Sequence, residues 1–287
     1  MKDYVIFTDS SCDLSDEMLK QRGVRSLPLS FRFENDREYK NGEMSAREFY
    51  HRMRTGEVAK TSAINPEAFA LEFEKALKQG KDILYLGFSS GLSNTYNSAR
   101  IATDLLYDKY PHQKILSVDT LAASAGIAML IDIVIEKKKQ GASILEAKEY
   151  AEKIKHKICH RFTVDDLVYL TRGGRINPAT AFFGNMLGIK PVLYVDKRGM
   201  LINGQKVRGR KTAINTLAKQ GDENIDRALS NLAYISHADC LRDANELKRI
   251  LNDNYGINAR LITDVGPVIG AHSGPGTLAL FFIGKER

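Results

Sequence analysis

Apolar residues in the first half of the chain fall into two alternating textures: short runs rich in Val, Ile and Tyr, and longer stretches of helical period. The short runs predict strands over 4–8, 24–31, 83–88 and 114–118. The longer stretches predict helices over 13–22, 45–54, 66–79 and 92–110, then a long helix from Leu121 and another over 143–156. Start signals agree with these spans. Asn65 followed by Pro66 supplies an N-cap and a proline at the first helical position, and Ser15 precedes Asp16 and Glu17 in a first turn. Alternating strands and helices imply a mostly parallel sheet between helical layers, so residues 1–159 are expected to form an N-terminal three-layer α/β domain.

Beyond that point the texture changes. Residues 162–170 lead into TRGGRINP, and the glycine-punctuated stretch IKPVLYVDKRGMLINGQKV reads as a hairpin. A helix from Arg210, a strand over 232–236, a helix over 239–254 and strands over 259–263 and 278–283 complete an α+β pattern, giving a C-terminal domain over 160–287. A length of 287 residues with 43% hydrophobic content fits two domains, because single cores stop growing near this size.

Three cysteines, Cys12, Cys159 and Cys240, are far apart and form no C-x-x-C pair, which predicts a reduced, cytoplasmic setting and no metal site. The N-terminus MKDYVIFTDSS carries an acidic residue where a signal peptide would be apolar, and it reads as a first strand. The most apolar segment, 121–135, falls short of the roughly 20 residues that span a bilayer and contains Asp132, so it reads as a buried helix. Net charge is +7, with a local concentration at Lys206, Arg208, Arg210 and Lys211. That stretch is either a solvated loop entering a helix or a docking patch for an acidic partner. Without tryptophan or interleaved basic and aromatic residues, a nucleic-acid module is disfavoured; a DNA-associated regulator would rest only on the net charge and the basic stretch after Lys206.

Ligands of open parallel sheets sit beyond the carboxyl ends of the strands. Hydroxyl-rich loops follow the first, third and fourth strands at Thr8–Asp9–Ser10–Ser11, at 89–95, and at Asp119–Thr120, and Thr61 and Ser62 lie just ahead of the helix at Pro66. Hydroxyls, backbone N–H groups and helix dipoles together suit a carboxylate or phosphate, although single Ser and Thr residues often only cap helices. Gly91-Leu92-Ser93-Asn94-Thr95 partly matches the nucleophile elbow of α/β-hydrolases but lacks its second glycine. The alternative reading is therefore a serine-dependent acyl hydrolase or transferase using Ser93, with His272 of the glycine-rich GAHSGPG turn as base. Phosphate-loop, dinucleotide and zinc motifs are absent, and no cofactor is expected.

Six motifs in order, TDSSCDL, TSAINP, SSGLSNTY, DLVYLTRGGRI, LGIKPVL and VGPVIGAHSGPGT, resemble the DegV family across nearly the whole chain. Asn94 stands where the family pattern has glycine, which would restrict a positive φ there. The resemblance implies a fatty acid held in a tunnel between the domains or through the second. It also implies a fatty-acid kinase as partner, phosphorylating the carboxylate while the acyl chain stays bound, with at most transient membrane contact. By motif position it implies Thr61, Ser62, Ser93 and Asn94 as carboxylate contacts with His272 beside them, and Arg175 as a contact for the phosphate or the kinase. Arg208, in the basic stretch, is a further candidate for kinase docking. Hydroxyls alone would leave the carboxylate without a full positive charge and so nucleophilic. Burying about 16 methylenes at roughly 0.8 kcal/mol each is worth on the order of 12 kcal/mol before association costs. Candidate tunnel walls are Phe182, Phe183, Met186 and Leu187, and the final strand with Leu280, Phe281 and Phe282; ordinary core is the competing reading for both.

Overall fold

A computed structural model describes residues 3–177 and 188–287. Strand β1 (Tyr4–Asp9) is buried along its whole length. It lies between β2 (Arg25–Leu27) and β6 (Asp82–Gly87), with β7 (Ile115–Asp119) outside β6, and every pairing is parallel. Helix α1 (Asp16–Arg22) starts on the Ser15 hydroxyl, which accepts from the Met18 N–H, and stops at left-handed Gly23. Helices α3 (Pro66–Leu77), α4 (Thr95–Tyr107), α5 (Ala125–Lys139) and α6 (Ile144–Ile154) cover the sheet, α3 pairing with α4 and α5 with α6.

The strand expected over 24–31 divides in two. Pro28 has no N–H for the ladder, so β2 ends at Leu27 and the chain turns into β3 (Ser30–Phe33). With β4 (Tyr39–Lys40) and β5 (Ala59–Ser62), β3 forms a small antiparallel sheet. Its core is the aromatic cluster of Phe31 and Phe33 with Phe49 and Tyr50 from α2 (Ala46–Arg54).

Six strands form the third sheet, in the order β10 (Leu201–Arg208), β9 (Ile189–Val195), β8 (Ile158–Thr163), β13 (Leu278–Ile283), β11 (Leu232–His237) and β12 (Asn258–Asp264). Among the described residues of this sheet, only β11 and β12 pair in parallel. The expected hairpin is β9–β10. Period-two alternation gives the sheet two apolar faces. Ile235, Leu280 and Phe282 pack in a core cluster with residues of α8 (Arg210–Asn224) and α9 (Leu241–Tyr255). Phe162, Tyr234 and Phe281 face the opposite way, into the main core shared with the parallel sheet. Leu280 and Phe282 are thus core and not cavity wall, while Phe281 lies on the other face. Phe182, Phe183, Met186 and Leu187 lie outside the described residues.

Helix α5 is apolar on nearly all sides because it touches both large sheets, contacting β6 as well as β8, β11 and β13. Its acidic interruption, Asp132, is satisfied by Arg22 at 2.7 Å and by the Tyr234 hydroxyl at 2.5 Å. The helix begins at Ala125 and not at Leu121, since Leu121 and Ser124 both take positive φ. We propose that the change of sheet between β7 and β8 marks the division between two domains. Residue 160 falls inside β8, so a division on this criterion lies ahead of Ile158.

Candidate functional site

A cavity of about 280 Å³ lies where the ends of the parallel sheet, β5, the six-stranded sheet and helix α10 (Pro267–Ser273) converge. That is just below the roughly 300–1,000 Å³ usual for small-molecule sites. Its walls are largely apolar, including Leu29, Phe88, Phe162, Val195, Leu201 and Phe281. Thr61, Ser62, Ser93, Asn94, Arg175 and His272 all line the same cavity. These six are partly or fully exposed, whereas Ser124, Ser236 and Phe281 on the same wall are buried, so the polar set forms the mouth.

The mouth is a connected chain of contacts. Thr61 sits on β5, paired with Phe31, and its Oγ1 lies 2.8 Å from His272 Nε2. His272 belongs to a helix, where the glycine content of its segment suggested a turn: Pro267 opens α10 and Gly274, at φ 79°, closes it. Gly270 is required inside that helix because a Cβ there would stand 2.3 Å from the Tyr50 hydroxyl. Likewise a Cβ on Gly173 would stand 2.2 Å from His272 Nδ1, so the GGR turn presses directly on the imidazole. Burial first, and the Arg175 charge second, lower the His272 pKa to about 4, leaving it neutral near pH 7.

Arg175 follows helix α7 (Val168–Arg172), which Gly173 and Gly174 terminate, Gly174 at φ 69°. Its guanidinium folds back over the mouth. Nε and Nη2 donate to the Leu92 carbonyl at 3.1 and 2.9 Å, and Nη1 donates to the Gly173 carbonyl. Arg175 therefore fixes the loop that presents Ser93 and also brings a cation to the cavity. Half-burial lowers its pKa without removing its charge.

Ser93 Oγ is 2.9 Å from Thr95 Oγ1 and accepts from the Thr95 N–H. Asn94 precedes α4 with φ −77° and makes no side-chain cap bond, so no positive φ is needed where glycine was expected. The N-terminal end of the α4 dipole adds positive potential behind both residues. The hydrolase pairing is not formed: His272 Nε2 contacts Thr61, and Ser93 contacts Thr95.

The other hydroxyl-rich loops mainly hold the scaffold. Asp9 accepts from the Tyr85 hydroxyl at 2.6 Å, the Phe88 N–H at 2.9 Å and both donors of Ser11. Thr120 donates to the Gly87 carbonyl and Ser89 to the Gly199 carbonyl. Of the basic stretch, Arg210 is paired with Asp243 at 2.8 Å, while Arg208 is an exposed residue at the end of β10, away from the cavity lining. Ser124, His160, Ser236 and Ser273 also line the cavity and were not anticipated. Alternation from Phe162 would have pointed to His160 on β8 and from Phe281 to Ala279 on β13. No local pattern marks the serines.

The fold and site define an α/β protein with a largely apolar cavity and an anion-suited mouth. The family described as "Uncharacterised protein, DegV family" matches residues 3–285, and the chain belongs to the DegV family. It is 42% identical over 289 residues to a DegV domain-containing protein of Clostridium perfringens, covering 100% of this chain and 99% of that one. Two solved structures are similar at 30% identity. One is a DegV lipid-binding protein from Thermotoga maritima, with a TM-score of 0.86 and 99% of each chain covered. The other is a fatty-acid-binding DegV family protein from Thermus thermophilus, with a TM-score of 0.85 and 98% of this chain and 99% of that chain covered. Among the described residues no helix is long and apolar enough to cross a membrane, and no cluster of His, Cys, Asp and Glu could hold a metal.

Proposed function

We propose that this protein binds one long-chain fatty acid, with the acyl chain in the cavity and the carboxylate at the mouth formed by Thr61, Ser62, Ser93, Asn94, Arg175 and His272. The observation that carries the reading is a largely apolar cavity whose exposed end gathers hydroxyls, an amide and a guanidinium. The lipid- and fatty-acid-binding relatives at 30% identity support the same ligand class. Burial of the chain supplies most of the affinity, and the mouth orients the head group.

In this reading the protein is a cytoplasmic carrier without catalysis of its own. It serves a fatty-acid kinase: a carboxylate oxygen attacks the terminal phosphorus of the kinase's nucleotide, the phosphoanhydride bond breaks, and the acyl phosphate forms at the mouth. Family resemblance supports the kinase partner, and the exposed cation of Arg208 is the proposed docking contact. Arg175 is proposed to meet both carboxylate and incoming phosphate, since two of its five N–H donors remain after three are spent on carbonyls. Native mass spectrometry of the purified protein, followed by extraction, tests the ligand. A mass excess resolving into a fatty acid supports the reading, and a mass that added oleate or palmitate leaves unchanged overturns it.

A further inference from the structure

The buried wall of the cavity carries hydroxyls that a plain hydrocarbon chain would leave without partners. Ser273 is 6% exposed, lines the cavity, and its Oγ has no hydrogen-bond partner. Ser236, on β11, is fully buried on the same lining. Its Oγ lies 2.9 Å from Ser124 Oγ, which in turn lies 2.5 Å from Asp13 Oδ2. Ser124 has one hydroxyl hydrogen to share between Ser236 and the Asp13 carboxyl, and in either arrangement the Ser124–Ser236 bond uses at most one lone pair of Ser236. The Ser236 oxygen is then left with a lone pair to offer the cavity, and the unpartnered Ser273 hydroxyl can donate or accept.

Resting on the fatty-acid reading above, we propose that the preferred ligand is an acyl chain bearing a hydroxyl, which donates to Ser236 Oγ or pairs with Ser273 Oγ. A saturated chain covers these groups with methylenes and forfeits their hydrogen bonds, whereas a hydroxyl at the matching carbon satisfies them. Leaving a buried hydroxyl unpaired costs roughly tenfold in affinity. A cavity built for plain chains would show the reverse preference, since burying a ligand hydroxyl without a partner carries a cost of the same order.

The test is a competition read by native mass spectrometry, with palmitate against each positional isomer of hydroxypalmitate, repeated on Ser236→Ala and Ser273→Ala. At least one isomer should be captured roughly tenfold more than palmitate. That ratio, measured within each variant, should fall toward one in Ser236→Ala or in Ser273→Ala. Capture of palmitate with every isomer disfavoured overturns this proposal and leaves the carrier reading intact. A hydroxyl preference unchanged in both variants also overturns it. Failure to capture palmitate or any isomer overturns the carrier reading and this one with it.

Discussion

Asp13 offers a quantitative check on how the two large sheets are joined. Its carboxyl accepts from Ser124 at the start of α5 and from the Gly266 N–H at 3.0 Å ahead of α10, and its carbonyl accepts from Thr263 at 2.6 Å. Burial is the main cause that raises its pKa from 3.8 to about 7, with Asp264 and Asp9 adding repulsion. A carboxyl whose folded-state pKa is raised stabilises the fold most below pH 4 and loses that contribution as pH climbs through 7. About three pKa units correspond to about 4 kcal/mol in total, of which more than half disappears between pH 5 and 8. Asp13→Asn removes the charge and keeps the shape. Asparagine also tolerates the left-handed φ of 55° at this position. Urea unfolding of both proteins at pH 5, 6, 7 and 8 should show the variant gaining on the order of 2–3 kcal/mol relative to the wild type across the series. Parallel stability profiles would refute the reasoning, because they would mean that Asp13 is ionised at no cost throughout.

Four further outcomes follow from the mouth and the surface. Ser93→Ala should loosen the carboxylate, seen as a changed 13C shift of carboxyl-labelled palmitate, while acyl-chain retention barely alters. His272, held neutral with a pKa of about 4, should titrate higher when a fatty-acid carboxylate occupies the mouth, which NMR of the ring protons will register. Arg208→Glu should weaken turnover by the kinase while fatty-acid binding survives; equal loss of both would remove Arg208 from docking. A fluorophosphonate probe should leave Ser93 unlabelled, since His272 is engaged with Thr61, and labelling would revive the hydrolase alternative.

Much of the fold was legible because periodicity and caps act locally. Asn65 and Pro66 start α3, and Ser143 with Glu146 forms a capping box at α6. The split of β2 from β3 was legible in principle from Pro28. Helix α10 was not, because its glycines signal a turn unless the close approach of Tyr50 to Gly270 is known. At the site, motif positions named the six residues that the fold gathers at the mouth, but not their division of labour. That Arg175 grips the Leu92 carbonyl depends on contacts 83 residues apart, and no local pattern carries such information. Leu280 and Phe282 show the complementary limit. An unbroken apolar strand does not say which of its faces meets a cavity, and the register with β8 and β11 decides it.

On the proposed function, the cavity holds one fatty acid by its chain and orients its carboxylate at the mouth. Native mass spectrometry of the protein as purified, with denaturing extraction of whatever is released, tests it most directly. The expected result is a mass excess equal to one long-chain fatty acid per chain, or uptake of one equivalent when oleate or palmitate is added. A mass equal to the bare chain that neither fatty acid shifts would contradict it.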